Sequence, residues 1–223
     1  MTWHRRWLIG SALIGVAVFA LMWIGYARQW SWVAAFDAAG LEPMYRIGVA
    51  HPAWVTGWNI LCTVFGPTVF RLVGVVVIVV ALIRRRRRIA LFLVVTAEFS
   101  GLLTQIAKEI ADRPRPATAL VYAYSTSFPS GHAVGVMICV LALLAVGLPL
   151  LRPALRPWVA GLGVLVIATT GIGRVVLNVH HPSDVLAGWG LGYAYFVACR
   201  LLLAPRPALR RSDETPAVPG RAR

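Results

Sequence analysis

Three short stretches of this chain hold most of the side chains whose types and spacing could do chemistry. "KEIADRPRP" carries Lys108, the single lysine in the sequence, and Arg115; "FPSGHAV" carries Ser130, Gly131 and His132; "GRVVLNVHHPSDVLAGW" carries Arg174, His180 and Asp184. Three fixed cations suit a phosphate dianion and the charge that develops on its equatorial oxygens during transfer. A hydroxyl and N–H groups at a helix start, here those of Ser130 and Gly131, add further donors. His180, with Asp184 one helical turn on, is an oriented nucleophile, and His132 can protonate the leaving oxygen and later activate water. This inventory points to phosphoryl transfer with no metal and no other cofactor. The cations supply the charge, and a two-metal site would need several carboxylates where this set offers mainly Asp184.

Taken singly, each group has a plainer role. The cations suit lipid headgroups, Ser130 suits a helix cap, and a His–Asp pair one turn apart is an ordinary surface hydrogen bond. Their joint meaning depends on the elements that position them. Hydrophobic residues make up 59% of the chain and charged ones 13%, with a mean hydropathy of +0.73, whereas soluble domains are about 25% charged. Apolar runs at roughly 7–26, 60–83, 89–107, 133–151, 158–173 and 185–203 each approach the ~20 residues that cross a bilayer. The expected fold is an all-α integral membrane protein of six transmembrane helices. An interfacial helix is expected between the first two, because residues 28–58 mix Trp30, Trp32, Trp54 and Trp58 with Asp37, Glu42 and Arg46. Residues 1–204 form the membrane domain, and 205–223 read as a disordered basic cytoplasmic tail. The first run is expected to stay as a helix rather than be cleaved as a leader. Gly66-Pro67 should kink the second helix or mark its start.

The formal charge of +14 is not that of a nucleic-acid binder, since the arginines do not form a basic face on a soluble fold. They sit at the ends of apolar runs: Arg5 and Arg6, residues 84–88, Arg152 and Arg156, then Arg206, Arg210 and Arg211. Six crossings put all of these on one side, the cytoplasmic side by the positive-inside rule, together with both termini. The three chemical clusters then share the opposite face, outside the cytoplasm. Arginine, alanine and valine dominance points to a GC-rich bacterial genome and hence to the cell membrane. Cys62, Cys139 and Cys199 fall in apolar runs and read as buried thiols. Arg71 and Glu98, counted along straight helices from the arginine turn, reach similar depths and are expected to pair. Gly188 and Gly192 could pack the last helix within one bundle or between copies, so the oligomeric state stays open.

The order and spacing of the three clusters resemble the type 2 phosphatidic acid phosphatase superfamily. Its pattern K-x6-R-P, then P-S-G-H, then S-R-x5-H-x3-D is matched by Lys108 with Arg115-Pro116, by residues 129–132, and by Arg174, His180 and Asp184. The resemblance is to the membrane-bound branch rather than the soluble haloperoxidase branch. It implies a metal-independent phosphatase acting through a phosphohistidine on a lipid phosphate or diphosphate. The substrates implied are an isoprenoid carrier diphosphate such as undecaprenyl diphosphate, phosphatidylglycerophosphate, phosphatidic acid or a phosphorylated lipid A. Beyond that substrate, the only partners expected are membrane lipids. Gly173 departs from the family serine and removes a possible hydroxyl contact, and His181, outside the motif, reads as a loop residue. The alternatives are a phosphotransferase with an alcohol acceptor, or a transporter or scaffold that binds anionic lipid without chemistry.

Overall fold

The computed structural model describes residues 3–203, so the tail expected at 205–223 lies outside the described residues. Among these residues the chain is helical, with no strand. The helices are α1 (Trp3–Ala27), α2 (Ser31–Ala50), α3 (Pro52–Val64), α4 (Pro67–Ile83), α5 (Arg87–Leu93), α6 (Ser100–Ala111), α7 (Gly131–Gly147), α8 (Arg156–Val176) and α9 (Pro182–Leu203). Six stretches are long and apolar enough to cross a membrane: Arg5–Ala27, Pro52–Ile83, Arg87–Ala111, Gly131–Leu150, Pro153–Val176 and Pro182–Leu203. The chain is a multi-pass membrane protein. α4 illustrates the division of faces. Gly74, Ile78 and Ala81 are buried, while Leu72, Val76, Val79 and Ile83 form an exposed apolar stripe suited to lipid.

The bundle closes around α9, which packs on α1 and α7. Three glycines make this possible by letting backbones touch. A Cβ on Gly190 would lie 2.5 Å from the Gly15 carbonyl oxygen of α1, one on Gly188 would lie 2.8 Å from Ala133 Cβ, and one on Gly192 would lie 2.9 Å from the Val134 carbonyl oxygen of α7. The small-residue pair of the last helix is thus used inside one bundle.

The start of the second crossing differs most from expectation. The second crossing begins at Pro52, not near residue 60, and runs 32 residues. At 1.5 Å per residue that is about 48 Å, longer than the ~30 Å hydrocarbon core. It is broken at Phe65-Gly66 and restarted by Pro67, whose missing N–H is harmless in a first turn. The region expected to be interfacial therefore divides: α2 is a separate helix laid over α8 and α9, and α3 belongs to the crossing. α2 reaches the bundle by its small residues. A Cβ on Gly40 would lie 2.5 Å from Pro182 Cγ, and Val33 and Asp37 are buried.

The expected Arg71–Glu98 ion pair does not form, for no such pair lies within 4.0 Å. The third crossing is not one straight helix; a π turn at Val94–Glu98 interrupts it. A π turn advances the chain by an extra residue and rotates the rest of the helix, so counting 3.6 residues per turn misplaces Glu98. Its carboxylate faces Gly74, where a Cβ would lie 3.6 Å from Oε1, whereas the Arg71 guanidinium lies one turn away beside Gly101 and reaches Ser100 Oγ at 3.2 Å.

Candidate active site

All the motif residues gather at the end of the bundle away from the arginine turn. Lys108 closes α6, which ends at Asp112 in a left-handed conformation that a short acidic side chain tolerates. Residues 112–130 then run across the bundle end and deliver Ser130 to cap α7, its Oγ 3.5 Å from the Ala133 N–H. Arg174 lies in the last turn of α8, and a five-residue link carries His180 to α9, whose first turn holds Asp184. The link is held by Asn178, fully buried at φ 53, whose Oδ1 accepts from the Thr118 hydroxyl at 2.8 Å.

Lys108, Arg174, His180 and Asp184 are each less than 10% exposed. The Lys108 ammonium donates to the Thr126 carbonyl. Arg115 donates to the carbonyls of Ser125 at 2.9 Å, Tyr124 at 2.7 Å and Val179 at 2.6 Å, which staples two loops together. Its Nη1 lies 3.2 Å from His180 Nε2. The other ring nitrogen of His180 faces Ser127 Oγ and Asp184 Oδ2, each at 3.5 Å. These partners assign the tautomer: Nδ1 carries the proton and Nε2 turns its lone pair to the guanidinium. Burial pushes the His180 pKa down to about 3; the bond to Asp184 opposes the fall, and the charges of Arg174 and Arg115 add to it. The ring is neutral at neutral pH.

His132, in the first turn of α7, faces the break in the second crossing, where a Cβ on Gly66 would lie 3.4 Å from its Nε2. The Ser130 N–H donates to the Asp184 carbonyl at 3.0 Å, so the Ser130 hydroxyl and the Gly131 N–H are what this helix start can offer a phosphate. Gly173 has a local reason. A Cβ there would lie 2.5 Å from Cys62 Sγ and 2.9 Å from the Trp58 ring, so the volume a serine would fill is already taken from α3.

Four contributors were not read from the sequence. Arg113 donates to Asp184 Oδ1, Ser183 Oγ and Asp37 Oδ2, each at 2.7 Å, with its guanidinium 4.5 Å from the Tyr26 ring centroid. Asp37 also accepts the Ser183 N–H at 2.9 Å and its hydroxyl at 2.8 Å. Ser127 donates to Asp184 Oδ2 at 2.5 Å. His181 is a loop residue, as expected, yet its N–H donates to the same oxygen at 2.8 Å. Asp184 is therefore held from both sides. The available signals were weak: Arg113 sits in a repeated "RPRP" beside the motif arginine, and Asp37 sits in "AAFDAAG", where small residues permit close approach.

Six apolar helices with three cations and two histidines gathered at one end define an integral membrane protein with a cationic polar site at one end of its bundle. The sequence profile of the PAP2 superfamily matches residues 89–207, more than half of the chain, which belongs to that superfamily. Among curated relatives, phosphatidylglycerophosphatase B of Bacillus subtilis is 38% identical over 99 residues, 43% of this chain and 48% of that protein. A lipid A 1-phosphatase of Rhizobium johnstonii is 32% identical over 139 residues, 53% of this chain and 52% of that one. An undecaprenyl-diphosphatase of Sulfolobus acidocaldarius is 31% identical over 111 residues, 47% of this chain and 50% of that one. The chain thus spans about half the length of these relatives. The crystal structure of a transmembrane PAP2-type phosphatidylglycerolphosphate phosphatase from Bacillus subtilis superposes with a TM-score of 0.71 at 25% identity, over 84% of this chain and 94% of that one.

Proposed function

We propose that this protein hydrolyses a lipid phosphate or diphosphate through a phosphohistidine on His180, on the outer face of the cell membrane. The observation that carries the reading is the setting of His180: a buried neutral ring with its Nε2 lone pair against Arg115 and its Nδ1–H toward Asp184. A phosphate that displaces Nη1 from Nε2 is met by the lone pair and the cation together. Nε2 attacks phosphorus, the bond to the leaving oxygen breaks, and protonated His132 gives that oxygen its proton. His132 then takes a proton from water, the hydroxide attacks phosphorus, and the P–N bond breaks to release phosphate and neutral His180. Lys108, Arg115 and Arg174 hold the equatorial oxygens.

His180→Ala should abolish the phosphoenzyme, and His132→Ala should slow turnover by roughly 10²–10⁴-fold. An acid-labile phosphohistidine should be trapped in the wild type, with activity persisting in EDTA. Activity lost on chelation and restored by a divalent ion would remove this mechanism.

The orientation rests on Arg84 to Arg88 at the opposite end of the bundle from the site. α2 fits the outer interface, with Trp32, Phe36 and Tyr45 exposed along it. The native cysteines are buried, so single introduced thiols report topology. A cysteine replacing Tyr122, 80% exposed on the site side, should react with an impermeant reagent in intact cells, and one replacing Arg86 only after lysis. The reverse pattern would put the site in the cytoplasm.

A further inference from the structure

The mechanism leaves one cation unused. α4 packs on α5 and on the π turn, and beyond that turn α4 and α6 part, with α7 behind them in contact with both. Arg71 spans the gap. The cleft above it is a cavity of about 240 Å³ lined by Arg71, Gly101, Thr104, Gln105, Lys108 and His132 among others. His180 does not line it. The cavity holds the group that protonates the leaving oxygen and not the nucleophile, so it is the leaving-group half of the site.

Arg71 is available there in a way that a structural arginine is not. Its partners are neutral, Ser100 Oγ and the Cys139 thiol, and its buried Nε has no partner among the described residues. Glu98, on the same seam, lies against Gly74 without reaching Arg71, and its own buried Oε1 has no hydrogen-bond partner among the described residues. The guanidinium is uncovered because residue 101 is glycine: a Cβ there would lie 3.4 Å from Nη2. An unpaired charge within a membrane protein is costly to keep and marks a functional position.

We propose that Arg71 is a specificity-determining residue that binds a second anionic group on the leaving-group side of the substrate. This rests on the phosphatase reading of the site. The terminal phosphate lies at His180 and the lipid chain lies in the bilayer, so an anion carried between them falls on the Arg71 side of His132. A simple monoester has no such group. A lipid diphosphate has one bonded directly to the leaving oxygen, and a glycerophosphate on a phosphodiester headgroup has one a glycerol away. Both present the same chemistry, a phosphate oxygen pair that the planar fork of arginine can meet with two N–H groups.

The test compares kcat/KM on two matched pairs: a prenyl diphosphate against the monophosphate of the same chain, and phosphatidylglycerophosphate against phosphatidic acid with the same acyl chains. In the wild type the doubly anionic member of at least one pair should be preferred, and Arg71→Gln should cut that preference roughly ten- to hundredfold, the range for a charge-assisted hydrogen bond. Arg71→Lys should restore part of it. Gly101→Ala, which keeps the charge but covers the guanidinium, should also lower it, and serves should Arg71→Gln misfold. The pair that responds tells whether the second phosphate is bonded directly or spaced by glycerol. No wild-type preference in either pair, or an equal fall on all four substrates in the variants, overturns the role of Arg71. No hydrolysis of any of them by the wild type fails the phosphatase reading instead.

Discussion

Arg113 and Arg71 are both drawn into the protein, and the contrast between their surroundings separates a frame from a binding group. Arg113 has two carboxylates, a serine hydroxyl and an aromatic face. Both terminal nitrogens of its guanidinium donate to the protein, and the result is a bracket from α2 through the crossing loop to the start of α9. Arg71 has one serine hydroxyl, one thiol and an open cleft, and no carboxylate within ion-pair distance. A satisfied buried charge fixes its neighbours, whereas an unsatisfied one is stable only because something else completes it part of the time.

The largest effect that would test this contrast is at Arg113. Arg113→Met leaves Asp37 and Asp184 buried without their shared cation and should cost roughly 3–5 kcal/mol, read as a large fall in thermal unfolding temperature in detergent, with loss of turnover. Arg71→Met should leave the unfolding temperature unchanged or raise it; a fall as large as that of Arg113→Met would make both arginines framework and erase the distinction. Between these lies Gly173→Ser, where overpacking against Cys62 and Trp58 should cost about 1–3 kcal/mol, with part recovered in the double variant Cys62→Ala, Gly173→Ser. The effect that is smallest per step concerns pH. His180 titrates at about 3 when folded and near 6.5 when unfolded, so between these values the unfolded chain binds a proton the folded one refuses. Stability should therefore fall as pH drops below ~6.5, by at most about 1.4 kcal/mol per unit, and His180→Gln should flatten that slope.

The sequence showed which residues share one end of the bundle before it showed what supports them there. Lys108, Arg115, Ser130, His132, Arg174, His180 and Asp184 are tied to helix ends by proline, glycine and capping signals, which mark the site end of the bundle even where hydropathy misplaced the start of the second crossing by eight residues. The bracket residues were illegible because their partners are remote: Asp37 meets Ser183 across 146 residues, and nothing local says that an acid in an amphipathic helix will turn inward. Between Arg113 and Arg115, two positions apart in one loop, only the course of residues 112–130 decides which reaches the bracket and which the histidine. Arg71 and Glu98 failed for a different reason: a π turn leaves no clear mark on apolar periodicity, yet it turns everything after it.

The volume at Gly173 bears on sequence variation as well as on packing. One helix contributes no side chain and another supplies a sulfur to the same space beside Arg174. Either change alone carries a packing cost: a serine at 173 would press on Cys62, and a smaller residue at 62 would leave a hole under the cation. Positions 62 and 173 should therefore vary as a pair across relatives, serine at one accompanying a smaller residue at the other. A serine at 173 is easily accommodated only where a residue 111 positions earlier in the chain makes room for its hydroxyl.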